Sequence, residues 1–483
     1  MTHDILPKHI KYIDMYKSDR LYWGLGIENE LYIEFENKIK VSKKKFLENH
    51  RRERYSVDYY TSYKLPLDRA FNFILDKLEK YDDGYSMPLL MNSNSFTRTD
   101  KSNNSKTLYT KLCEANPKYE GKTLTDILFS DSTYLKENYD KNYVYEGDII
   151  EIITLDFFNT TLKNVINELE ISKDNFIKNV QKVFINNNIF SDYGTIDFIK
   201  DNYPFGIFLT NMNNIGIFNN GTLHFNVTLP TMLDNNNNII DKNKFESQHK
   251  QYIRLIQFVE PLLLSIYGSP DPFSYIKTKS TDNPFSENTM FSSCSQRCAV
   301  SRYISIGTYD TNIMKRGKLL TDNIKMFKVA TEPYGWYNRY HQYSAYKKLE
   351  EIGYDINYNK HTNHGIEIRI FDHITDINLM KEAFEFIILL GDYTLCTDDI
   401  ENPIINLIWN DFVIDCMKYG SELKLNDNYI SLYNSVFNHK FTSKCCKTLY
   451  YEIFNLLKSR STIHNNFSKY VLEKSNRIVY TDV

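Results

Sequence analysis

Gly24-Leu-Gly-Ile-Glu28-Asn-Glu30-Leu-Tyr-Ile-Glu34-Phe-Glu36 changes character at almost every residue. Side chains of a β-strand alternate between its two faces with period two. Leu25, Ile27, Leu31, Ile33 and Phe35 therefore share one face, suited to a hydrophobic core. Glu28, Glu30, Tyr32, Glu34 and Glu36 share the other. Carboxylates at i and i+2 on one face repel unless water or a cation stands between them. Mg²⁺ is such a cation, a hard ion that takes oxygen ligands together with phosphate. A solvated outer face would explain this segment taken alone.

Two later segments have the same build. In Gly221-Thr-Leu-His224-Phe-Asn226-Val-Thr228-Leu-Pro230, Phe225, Val227 and Leu229 point one way, and His224, Asn226 and Thr228 the other. By itself, His224 beside Asn226 reads most simply as a structural hydrogen-bonding pair. In His364-Gly-Ile-Glu367-Ile-Arg369-Ile-Phe-Asp372, Ile366, Ile368 and Ile370 are expected to face a core, with Glu367 and Arg369 opposite. An ion pair within one strand accounts for those two. With metal and phosphate present, Glu367 would hold a cation and Arg369 would neutralise a phosphate or a developing oxyanion. Each segment is ambiguous alone; together they form an ordered set, ExE, HxN, ExR.

That set resembles the glutamate–cysteine ligases, whose strands read G-I-E-x-E, close to H-x-N-x-S-L-P, and I-E-x-R. The counterparts here are Gly26-Ile-Glu28-Asn-Glu30, His224-Phe-Asn226-Val-Thr-Leu-Pro230 and Ile366-Glu367-Ile-Arg369, with Thr228 where the family often has Ser. Asp148-Ile-Ile-Glu151-Ile-Ile-Thr154 resembles the family's acidic second strand. The resemblance spans about residues 20–375 and is specific only at these islands. It implies an α+β, glutamine synthetase-like fold with a large, mainly antiparallel sheet. It also implies an ATP-dependent carboxylate–amine ligase that forms an amide through an acyl phosphate, with Mg²⁺ or Mn²⁺. Such chemistry is mostly electrostatic positioning and needs no protein nucleophile.

On that resemblance, Glu28, Glu30, Glu151, His224 and Glu367 are the expected metal ligands, and Arg369 and Glu28 the catalytic residues. Arg369, Arg302 and Asn226 are the expected nucleotide contacts. Arg297, Arg302 and Arg339 are expected to bind substrate, an amino acid or a peptide or protein carboxylate with its amine partner. Arg297 and Arg302 stand in an irregular segment suited to gripping a carboxylate or phosphate, and two surface arginines would look the same. Arg339 lies in an aromatic and polar cluster, Trp336 to Tyr343, which fits the lining of a substrate or adenine pocket and also, more simply, a half-buried structural cluster. A guanidino-kinase-like phosphotransferase of the same fold is the rival enzyme reading, although such kinases use an arginine-rich phosphate site. An inactive descendant serving as a binding protein is the rival of another class.

Composition bounds the rest. The chain has 483 residues, 42% hydrophobic and 25% charged, with a formal net charge of −3, as in an ordinary globular protein and unlike a basic nucleic-acid coat. Its 38 Tyr and 30 Phe, with abundant Asn, Lys and Ile, fit an AT-rich coding genome, such as that of a large virus. The start, Met1 to Lys8, has no basic region followed by an apolar stretch, and residues 258–267 and 384–390 are too short to span a bilayer. A soluble cytoplasmic protein without membrane or nucleic-acid partners is expected. Seven cysteines without a CxxC pair predict free thiols and no zinc site.

Along the chain, strands are expected at 21–36, 148–155, 206–209, 215–218, 222–229 and 366–371. The period of apolar residues predicts helices over 67–81, 161–184, 248–267 and 345–352. Residues 100–125 read as a polar loop, and the chain after 375 as mostly helical. The expected division is a catalytic domain over 1–375 and a helical region over 376–483 packed on it. Lys43-Lys-Lys45 with Arg51, Arg52 and Arg54 is a basic run, and such runs are commonly solvated. Gly121-Lys-Thr123 ends like a phosphate-binding loop, but Asn116 occupies the place of its first glycine, which excludes it.

Overall fold

The structure, a computed structural model, describes residues 21–37, 88–89, 91, 108–111, 114–146, 149–155, 161–200, 221–231, 239–269, 276–277, 289–290, 294–295, 356–358, 365–397, 399–403, 406–461, 470–472 and 478–480. Their centre is an antiparallel sheet of eight strands: β1 (Leu21–Leu31), β2 (Tyr143–Glu146), β3 (Ile149–Ile153), β4 (Thr222–Thr231), β5 (Ile356–Tyr358), β6 (Ile366–Asp372), β7 (Tyr470–Leu472) and β8 (Ile478–Tyr480). β1 lies in the middle. One of its edges pairs along its length with β4, followed outward by β6 and β5. At its other edge β7 pairs with Leu21 and Tyr22, and β3 with Glu28 to Leu31.

Among the described residues, eight α-helices accompany the sheet: α1 (Leu124–Asp131), α2 (Thr133–Asn138), α3 (Leu162–Asn187), α4 (Lys242–Tyr267), α5 (Ile377–Thr394), α6 (Leu407–Tyr419), α7 (Asp427–Phe437) and α8 (Cys446–Arg460). The fold of the described residues is therefore α+β. Leu25, Ile27, Phe225, Val227, Leu229, Ile366 and Ile368 are fully buried in one core with residues of α3, α4 and α5. The Phe225 ring stacks on Phe384 of α5, with centroids 4.4 Å apart. Gly391 lets α5 approach closely, since a Cβ there would come within 2.9 Å of the Trp23 ring. Each large apolar side chain buried in this way contributes about 1.5–3 kcal/mol. The same core includes α8 residues such as Tyr450, so it runs across residue 375.

Several expectations change in detail. The strand expected over 21–36 divides after Leu31: Ile33–Phe35 leaves the main sheet and pairs with Pro88–Leu89 and Ile196–Phe198. Glu34 and Glu36 are thereby separated from Glu28 and Glu30. α4 starts at Lys242, six residues before the expected 248, because Asp241 caps it by accepting from the Lys244 N–H at 2.9 Å. Within 100–125 there are short strands at Tyr109–Lys111 and Glu114–Ala115 rather than loop alone. Thr123 of the rejected phosphate-loop match closes a capping box with Asp126 at the start of α1. β7 and β8 return to the sheet after the C-terminal helices. The elements expected at 67–81, 206–209, 215–218 and 345–352 and the basic run 43–54 lie outside the described residues.

Among the described residues, no helix is long and apolar enough to cross a membrane. The described cysteines, Cys294, Cys396, Cys416, Cys445 and Cys446, are free.

Candidate functional site

Strand register brings the dispersed polar residues to one place. Directly paired residues of antiparallel strands share a face. Glu28 of β1 pairs with His224 of β4, Glu30 of β1 pairs with Glu151 of β3, and Asn226 of β4 pairs with Glu367 of β6. Four strands thus assemble Glu28, Glu30, Glu151, His224, Asn226, Glu367 and Arg369 on the face turned away from the apolar core. Nothing in the sequence separation favours this: Glu28 and His224 are 196 residues apart, and only the sheet joins them.

Arg369 enters through an irregularity. Ile368 pairs with Phe225 and Phe371 with Leu223, so Arg369 and Ile370 together oppose the single residue His224. This is a β-bulge, which bends a strand and re-aims its side chains. Ile366, Ile368 and Ile370 are all buried in the main core, as expected, and past the bulge Phe371 joins them, its ring 5.0 Å from that of Phe225. The Arg369 guanidinium donates to Glu367 Oε1 at 2.6 Å and lies 3.9 Å from Glu30 Oε1.

The cluster is dry. Glu28, Glu30, Glu151, His224, Asn226 and Glu367 are each no more than 6% exposed, and Arg369 is 9% exposed. Among the described residues of the cluster, four carboxylates face one guanidinium and one imidazole. Burying an ionised carboxylate costs several kcal/mol unless opposite charge and hydrogen bonds offset it. Glu28, Glu151 and His224 each offer a ligand atom, and these atoms lie within 4.8 Å of one another, a spacing suited to one metal ion. Of the five expected ligands, these three form the compact group, Glu367 is held by Arg369, and Glu30 borders both.

Hydrogen bonds orient the ligand atoms. Asn226 Nδ2 donates to Glu28 Oε1 at 3.0 Å, while Glu28 Oε2 lies 3.6 Å from His224 Nδ1. Glu367 Oε1 is 3.4 Å from the same nitrogen. His224 Nδ1 and Asn226 Oδ1 are buried without a hydrogen-bond partner among the described residues. An orphaned buried imidazole nitrogen close to carboxylates on two other strands is a donor set that could hold a metal ion.

No protein-family model matches the chain. A protein named uncharacterized protein R704, from Acanthamoeba polyphaga mimivirus, is 37% identical over 491 aligned residues, covering 98% of this chain and 83% of the viral protein. The chain belongs to that protein's family. The family thus includes a protein of a virus, in keeping with the source class read from composition.

Two residues that support this chain's site were not singled out in the sequence. Thr222, paired with Glu30, donates its hydroxyl proton to Glu30 Oε2 and lies 3.0 Å from His224 Nε2. Its signal was the period of two, which puts 222, 224, 226 and 228 on one face, but threonine is too common in strands to stand out. His249 of α4 supports β4 from the core side: Nε2 accepts from the Leu229 N–H at 3.0 Å, and Nδ1 is 2.7 Å from the Phe245 carbonyl. Burial holds its imidazolium off, with a pKa lowered to about 4. Arg297, Arg302 and Arg339 lie outside the described residues.

Proposed function

We propose that this protein is an ATP-dependent carboxylate–amine ligase whose sheet is the catalytic sheet of a glutamine synthetase-like fold. One observation carries the reading: four buried glutamates, one histidine and one arginine, spread through the ExE, HxN and ExR strands and β3, converge on a single sheet face. The carboxylate-rich make-up of the cluster supports a divalent-cation site over the arginine-rich phosphate cradle of a guanidino kinase.

In this reading Glu28, Glu151 and His224 hold Mg²⁺ or Mn²⁺, with Glu30 and Glu367 beside them. The ion supplies positive charge to polyphosphate in a site whose own residues are acidic. Asn226 fixes the Glu28 carboxylate, so that one oxygen is committed to the amide and the other to the site. Arg369, aimed by the bulge, neutralises the transferring phosphoryl group. The terminal phosphoryl of ATP passes to a substrate carboxylate, giving an acyl phosphate and ADP. An amine then attacks the acyl carbon, forming the amide and releasing phosphate. Free glutamate is the first carboxylate to try, since the resemblance is to ligases that activate its side chain, with Arg297 or Arg302 on its α-carboxylate.

The test is ADP release with hydroxylamine as the amine, over a panel of carboxylates. Hydroxylamine traps an acyl phosphate as a hydroxamate. Stoichiometric ADP and hydroxamate from wild type, and neither from Glu28→Gln or Glu367→Gln, is the expected result. A phosphorylated guanidine without hydroxamate would replace the ligase by a kinase, and no product across the panel would leave a binding protein.

A further inference from the structure

We infer that Thr222 is a positioning residue, holding His224 as the Nε2–H tautomer so that an unprotonated Nδ1 faces Glu28 and Glu367. The inference deepens the metal-site reading and rests on it for its purpose, though not for its geometry. A threonine hydroxyl has one proton and can also accept. Here that proton goes to Glu30 Oε2. The 3.0 Å contact between Thr222 Oγ1 and His224 Nε2 must then be donated by the imidazole. Glu30 Oε1, 3.7 Å from the same nitrogen, favours a proton there as well.

In the neutral ring with Nε2 carrying the proton, the other ring nitrogen carries a lone pair. Nδ1 is the atom without a hydrogen-bond partner among the described residues, 3.6 Å from Glu28 Oε2 and 3.4 Å from Glu367 Oε1. A lone pair facing two carboxylates is unfavourable until a cation stands among them, so the tautomer prepares the ring as a ligand. Ligating histidines characteristically give their second nitrogen's proton to an acceptor that sets ring orientation, and losing that acceptor weakens metal binding. Thr222 is itself held. Its carbonyl accepts from Asn29 Nδ2 at 3.1 Å, and Gly221 before it packs so closely on Glu30 that a Cβ would lie 2.9 Å from the Glu30 carbonyl oxygen.

Two measurements on the full chain decide the matter. The ¹⁵N spectrum of histidine-labelled, metal-free wild type, with the His224 signals identified by their loss in His224→Gln, reads the tautomer without altering Thr222. Mn²⁺ affinity is then measured by titration of wild type, Thr222→Val and Thr222→Ser. The expected result is a protonated Nε2 and bare Nδ1, an Mn²⁺ Kd raised about 10- to 100-fold in Thr222→Val, and a Kd in Thr222→Ser within about threefold of wild type. A protonated Nδ1 in wild type, or Thr222→Val binding Mn²⁺ as tightly as wild type, would overturn the inference and leave the metal site standing. Failure of wild type to bind Mn²⁺ would overturn the metal site instead, and the tautomer would still be read from the spectrum.

Discussion

His249 ties the site strand to the helical layer, and lowering the pH should untie it. Its Nε2 accepts from Leu229 on β4, so protonation there destroys an acceptor inside the core. The group's pKa is about 4 in the folded chain against an ordinary 6.5. The folded state thus takes up the proton later than the unfolded state as pH falls. Stability from this group is complete above about pH 6.5 and is lost progressively down to about pH 4. Over that whole window the two pKa values correspond to a loss on the order of 3 kcal/mol, of which about 2 kcal/mol falls between about pH 7 and pH 5. Other groups titrate in the same interval, so the comparison is with His249→Gln, which cannot protonate. Apparent unfolding free energies from urea at the two pH values should fall by about 2 kcal/mol more in wild type than in the variant. Parallel pH dependences would refute the buried, neutral His249 and the anchoring of β4 that follows from it.

Arg369→Lys keeps the charge and loses the planar fork, so kcat should fall on the order of 10²-fold with nucleotide affinity much less changed; near-normal turnover would place Arg369 in a structural ion pair with Glu367 alone. Gly365→Ala would set a Cβ 2.4 Å from His249 Nε2 and 2.6 Å from the Val227 carbonyl oxygen. Forcing those groups apart should cost about 1–3 kcal/mol, read as a lowered urea midpoint, and an unchanged midpoint would contradict the packing of β6 on β4 and α4.

Period-two alternation made the polar faces legible strand by strand, because one buried apolar face forces the opposite residues together. Glu28 and Glu30, His224 and Asn226, and Glu367 with Arg369 could each be assigned a side in this way. Register could not be read, since the pairing of Glu28 with His224 is a choice among many nonlocal alignments. The bulge at Arg369 and Ile370 was equally hidden, because His-Gly-Ile-Glu-Ile-Arg-Ile is an unbroken alternating sequence. The break at Tyr32 left no mark either, as Glu34 and Glu36 continue the same alternation into a different sheet. Near the start of α4, Phe245 is the one buried residue before His249, too sparse a stripe to extend the helical period. The short strand β7 depends on the edge of β1 beside Leu21 and Tyr22, a partner about 450 residues away.

The proposed role of this buried cluster is to hold a divalent cation for phosphoryl transfer. Crystals soaked with Mn²⁺ and a non-hydrolysable ATP analogue, measured for the manganese anomalous signal, test it most directly. A peak is expected among the Glu28 and Glu151 carboxylates and His224 Nδ1, with the terminal phosphate of the analogue reaching both the ion and Arg369. A cluster without an anomalous peak, with its carboxylates instead paired to protein cations and the analogue bound elsewhere, would contradict it.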